Sequence, residues 1–210
     1  HGEAHNGDLK RRGSLVLDYI RTHVPKEIAD EFLRDFDEEL FHTIVDWHDR
    51  YIKATPSIDT NLFGMLVLNQ AAGYSEEESI RMFKKQAGEG YTDEEIETLV
   101  AGIRATIPTF LHGSVHQEGL KPGIPFEAVL VALCDLGASI EGEEQFLEES
   151  NAILRERAIG VKLLLERGSL SEDEKNLVGA TILSWTEGQE AFLDGRIDRL
   201  PVDMLAVPNE

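Results

Sequence analysis

Nine apolar residues between Ile28 and Trp47 fall on one repeating interval. Ile28, Phe32, Leu33, Phe36, Leu40, Phe41, Ile44, Val45 and Trp47 recur with a period near 3.6. That spacing lines one face of an α-helix with core side chains. A strand would need alternation with period two, and no run here shows it between hairpin turns. The chain must therefore bury helix faces against one another, and the expected class is all-α. Pro25 opens the segment at a first-turn position that tolerates proline. From there the pattern predicts helix up to His48-Asp49.

The remaining elements read in the same way. Leu15, Val16, Tyr19 and Ile20 predict a helix over Arg11 to Arg21. Ser75-Glu-Glu-Glu78, Thr92-Asp-Glu-Glu95 and Ser171-Glu-Asp-Glu174 match the capping box. In that motif a hydroxyl and a carboxylate three residues apart satisfy each other's backbone N–H groups. The helix from Thr92 is expected to stop near Ile107-Pro108. Thr109 to Pro125, rich in Gly, His and Pro, reads as a loop. A buried helix is expected over Phe126 to Leu136, a long one over Glu143 to Glu166, and a last one over Ser171 to Leu193.

Charge narrows the function. Forty acidic residues face twenty basic ones, for a formal net charge of −20. Such a surface repels phosphate backbones and anionic bilayers, so neither nucleic acid nor membrane is an expected partner. A small anionic substrate stays open where a metal ion and a few basic groups set the local field. No run is long and apolar enough to span a bilayer. Cys134 is the only cysteine, in an apolar run, and reads as a small buried residue. A disulfide framework is thereby excluded, which fits a reducing, cytoplasmic location.

Several polar residues stand where chemistry is possible. His48-Asp49 offers an imidazole and a carboxylate to one divalent metal. Placed among apolar residues, Asp49 needs either a metal or an ordinary ion pair with Arg50 or Lys53. Asp135 ends a run that looks buried, so it is paired, metal-bound, or a helix-terminal Asp facing a loop. His1 and His5 are four apart and share a face if their segment is helical, His5 to bind a metal and His1 to act beside it. His112 and His116 repeat that spacing, and either complete a second metal position or line a substrate loop. Lys10, Arg104 and Arg155 are candidates for steadying a phosphoryl group, or are surface residues.

Taken in order, His-x-x-x-His, His-Asp 43 residues after His5, and Asp at the end of a buried helix resemble the HD superfamily of metal-dependent phosphohydrolases. Ala105-Thr-Ile-Pro108, Ala132-Leu-Cys-Asp-Leu-Gly137 with Glu141-Gly-Glu-Glu-Gln-Phe146, Leu154-Arg-Glu156 and Trp185 to Arg196 are similar to a bacterial HD-domain group of predicted hydrolases. The resemblance implies a helical bundle with the metal between helices. Residues 1–140 would form the HD-like core and 141–210 C-terminal helices packed on the same domain. It implies His5, His48, Asp49 and Asp135 as ligands of Mn, Fe, Co or Zn, in one or two ions. His1 and Asp49 would be catalytic, and His112 and His116 the extra histidines of two-metal forms. Gly2 stands where the related His-Asn-x-x-His form has Asn. Arg50-Tyr51 is bulkier than the usual pair after the dyad, and Asn61-Leu62 differs from the Asn-Glu of several HD phosphatases.

The expected activity is hydrolysis of a small phosphorylated metabolite or nucleotide. Two other classes compete. A di-iron oxygenase needs six ligands, which His112 and His116 would help supply, and consumes O₂. A silent helical module would keep the scaffold for binding or regulation and carry no metal.

Overall fold

The computed structural model describes residues 3–60, 62–69, 73–111, 114–117, 123–137, 141 and 143–205. The described chain is mostly helical. In order it runs α1 (Glu3–His23), α2 (Lys26–Leu33), α3 (Glu38–His48), β1 (Thr55–Asp59), β2 (Met65–Asn69), α4 (Tyr74–Gln86), α5 (Asp93–Ala105), β3 (Pro108–Leu111), β4 (Ser114–Gln117), α6 (Phe126–Asp135), α7 (Glu143–Arg157), α8 (Ile159–Glu166) and α9 (Glu172–Leu205).

The main core lies between α1, α3, α4, α5 and α6. Leu9 and Leu17 meet Phe41, Ile44 and Val45, with Phe83, Leu99, Ile103 and Leu130 filling the centre. Glycine sets how closely α3 and α5 approach. A Cβ on Gly102 would lie 2.7 Å from two atoms of Ile44, below any normal carbon contact. This close approach carries Ile44, and with it His48 one turn later, against the bundle. A second core joins Met65 and Val67 of β2 to Leu154, Ala158, Val161 and Val178 of the C-terminal helices.

Three expectations about the extent of helices and strands are corrected. The helix predicted from Pro25 to the dyad is two helices, because Asp37 starts a new one. Its carboxylate accepts from the N–H groups of Glu39 and Leu40 at 2.8 and 3.0 Å, capping α3. The long helix predicted from Glu143 to Glu166 breaks at Ala158, which takes φ −83° and ψ 73° between α7 and α8. Strands are present where none was expected. β1 pairs antiparallel with β2, and β3 with β4 inside the segment read as a loop. Each strand has four or five residues, too few for a periodic signal to stand out.

Thr92 and Ser171 form the capping boxes expected of them. The Thr92 hydroxyl accepts from Glu95 N–H while Thr92 N–H donates to Glu95 at 2.6 Å. Ser171 N–H donates to Glu174 at 2.9 Å, and Glu174 N–H returns a bond to Ser171. Ser75 does not cap. Gly73 holds the cap position of α4 with φ 78°, and Ser75 lies inside the helix, buried.

Candidate metal centre

His48 is the last residue of α3 and Asp135 the last of α6. His5 lies in the first turn of α1. The three meet where these helix ends converge. One donor atom from each lies within 4.8 Å of the other two. His5 Nε2 is 3.4 Å and His48 Nε2 3.5 Å from the same Asp135 Oδ1. The two rings stand 5.5 Å apart between centroids. Asp49, the C-cap residue of α3, places Oδ2 3.6 Å from His48 Nε2.

The tautomer of His48 follows from its backbone contact. Nδ1 lies 2.7 Å from the Val45 carbonyl oxygen, and a carbonyl only accepts, so Nδ1 carries the proton. A neutral ring then turns a lone pair at Nε2 toward carboxylate oxygens. Lone pair against lone pair is repulsive unless a proton or a cation lies between them. His48 is 1% exposed, and its Nε2 has no hydrogen bond among the described residues. The distances of 3.5 and 3.6 Å to Asp135 and Asp49 are electrostatic pairs rather than hydrogen bonds of good geometry.

Electrostatics at the site reflect that arrangement. Burial works to lower the His48 pKa, but the Asp135 and Asp49 carboxylates outweigh it and raise it to about 9. Burial likewise works to raise the Asp135 pKa, while His48 and His5 hold it below the ordinary carboxylate range. The two carboxylates thus favour positive charge at His48. Two imidazole nitrogens and carboxylate oxygens in one buried cluster suit a transition metal, so the residues present fit the group.

Sequence reasoning missed one member of this neighbourhood, Glu76. It sits in the first turn of α4, 6% exposed, with Oε2 buried and without a hydrogen bond among the described residues. Burial, then the charges of Asp49 and Asp135, push its pKa up to about 7. Its spacing was the available signal. Glu76, Ile80 and Phe83 stand at i, i+4 and i+7, and all three are buried, so a carboxylate interrupts an apolar stripe.

The other expected site residues fall elsewhere. Lys10 pairs with Asp46 at 2.7 Å, and exposed Arg104 pairs with Glu77 at 2.7 Å. Arg155 is exposed in the last turn of α7. The basic residues just after the dyad rest on aromatic rings. The Arg50 guanidinium lies 4.5 Å from the Trp47 ring centre and Lys53 Nζ 4.2 Å from that of Tyr74. His1 and His112 lie outside the described residues, and for His116 only its backbone place in β4 is described, opposite Thr109. Cys134 is buried as expected, and burial raises its thiol pKa to about 12.

Arg12 ties the centre to the C-terminal helices. It is 5% exposed and donates to the Cys134 carbonyl at 3.1 Å, to Glu141 at 2.9 Å and to Glu149. One guanidinium thereby joins the helix of His5, the residue before Asp135, and α7. No helix among the described residues is long and apolar enough to cross a membrane. Compared with known proteins, the chain matches no family model, no curated protein and no solved structure.

Proposed function

We propose that the chain is a metal-dependent phosphohydrolase of the HD type, acting on a small phosphate ester or nucleotide. His5, His48, Asp49 and Asp135 would hold the metal. The observation that carries this reading is the meeting of two imidazoles and a carboxylate from three helices within 4.8 Å. Mixed nitrogen and oxygen donors favour Mn²⁺, Fe²⁺, Co²⁺ or Zn²⁺ over Ca²⁺. A cation of this kind lowers the pKa of a water and polarises a phosphoryl oxygen when bound.

The chain's own residues supply orientation and exclusion. The Val45 carbonyl fixes the His48 ring and leaves Nε2 as the free donor. Asp135 stays ionised at neutral pH, held so by the two imidazoles. Burial of His48 keeps bulk water from that ring, which strengthens each charge interaction around it.

Metal analysis of protein purified without chelators, followed by phosphate release from nucleotides and sugar phosphates with that metal, tests both parts. Bound transition metal and phosphate release are expected. Protein that takes up no transition metal refutes the centre. Metal-loaded protein inert toward every phosphate ester refutes the hydrolase and leaves the centre standing.

A further inference from the structure

The first turn of α4 presents a buried polar face to the segment that follows the dyad. Ser75 and Ser79 are both fully buried. Their hydroxyls accept from the backbone N–H groups of Lys53 at 2.9 Å and Tyr51 at 3.2 Å. These two bonds clamp the chain leaving Asp49 onto α4. Glu76 lies between the two serines in sequence and shares their burial, yet its Oε2 has no such bond among the described residues. Burial is the largest influence on its ionisation; Asp49 and Asp135 oppose its charge and His48 favours it. Two of the three are carboxylates, so the nearby protein charge repels Glu76 more than it attracts it.

Burying a carboxylate beside two others, with one oxygen unmatched, costs stability. Removing that cost needs only a neutral side chain, and the first turn of α4 would keep Glu77 as an acidic residue. Among the described residues nothing hydrogen-bonds Oε2. A cation at the convergence of His5, His48 and Asp135 changes the balance, because three carboxylates around a divalent ion attract it instead of repelling one another.

We propose that Glu76 is a further carboxylate of the metal centre, whose charge is matched by the bound cation rather than by any protein group. The inference rests on the metal-centre reading above, but not on phosphohydrolysis. At its place in the centre Glu76 acts as a positioning residue: it adds negative charge around the ion and gives a hydrogen-bond acceptor to water there.

The test titrates Mn²⁺ into wild-type protein, Glu76→Gln and Glu76→Met at a pH above 7, and melts each protein with and without Mn²⁺. Gln keeps the shape and Met the volume, so at least one variant is expected to fold. Both variants should bind Mn²⁺ about 10- to 100-fold more weakly, and both should melt higher than wild type when metal-free. The Mn²⁺-induced rise in melting temperature should be smaller in the variants. If wild-type protein binds Mn²⁺ and a folded variant binds it equally well, the Glu76 assignment is overturned while the centre survives. If wild-type protein binds no Mn²⁺, Co²⁺ or Zn²⁺, both fall together.

Discussion

Metal binding should reverse the pH dependence of this protein's stability. In the metal-free fold burial opposes the charge on His48, but Asp135 and Asp49 raise its pKa from 6.5 to about 9. A group whose folded pKa lies above its unfolded value adds stability that is complete below the unfolded pKa. That stability is lost as pH rises through the folded pKa. The His48 contribution is therefore whole below 6.5 and gone above about 9. The difference corresponds to ~3 kcal/mol at most. Glu76 tilts the curve the same way at lower pH, since burial, Asp49 and Asp135 make its ionisation unfavourable between 4.5 and about 7. Asp135 acts only in acid, because its pKa is shifted downward. A bound cation inverts the His48 slope. Nε2 must shed its proton to ligate, so metal affinity should rise ~10-fold per pH unit until about 9. Urea denaturation from below 6.5 to above 9, once with EDTA and once with saturating Mn²⁺, reads both signs. The EDTA series should lose stability across that window, while the gap between the two series widens. A gap that stays constant or narrows with rising pH would refute the reasoning, for it would mean that no proton leaves His48 when the metal enters.

Other consequences are open to direct measurement. Asp49→Ala should abolish metal binding while leaving helical content by circular dichroism largely intact; unchanged metal stoichiometry would remove Asp49 from the centre. Arg12→Ala should destabilise by ~3 kcal/mol, because Glu141 and Glu149 lose the buried cation between them. It should also weaken metal binding, since Arg12 holds the carbonyl beside Asp135. A loss below ~1 kcal/mol in urea melts would show that solvent already serves these carboxylates. Gly102→Ala should cost about 1–2 kcal/mol, the strain of a Cβ placed 2.7 Å from Ile44 less the helix propensity gained by removing glycine. Ile44→Val deletes one of the two crowded atoms and should recover part of that loss in a double-mutant cycle.

What the sequence made legible was set by the range of the signal. The periodic apolar run announced α3 and the buried helix α6, and these two elements carry His48 and Asp135 at their last residues. Local chemistry announced the caps at Thr92 and Ser171. Asp37 was harder to read. An Asp before two glutamates fits both a solvated helix face and an N-cap, and the apolar period continues across it. Ser75 shows the reverse failure, because its motif was complete, but its hydroxyl serves Lys53 N–H from another segment. The hairpins depend on pairing partners, and the β1–β2 pair also on α8, where Gly160 lets the helix approach Met65 and Leu66. Glu76 was hidden among three consecutive glutamates. Only its register with Ile80 and Phe83 separates it from the other two, and only the fold buries it where Asp49 and Asp135 oppose its charge.

The placement of the ligands at helix ends has an electrostatic logic of its own. α3 and α6 both terminate at the centre, and a helix C-terminus carries partial negative charge from its unpaired carbonyls. Two such ends, the Asp49 and Asp135 carboxylates and two imidazole lone pairs all favour a cation at the same point. α1 and α4 enter with their N-termini instead, through His5 and Glu76. Their partial positive charge offsets the ionisation cost of Glu76, whose own backbone N–H also favours its charged form. A site built to bury a salt bridge would need no such surplus, since one imidazolium between Asp49 and Asp135 leaves Glu76 unmatched. That excess of negative field over protein-borne positive charge favours a cation over a structural His–Asp pair.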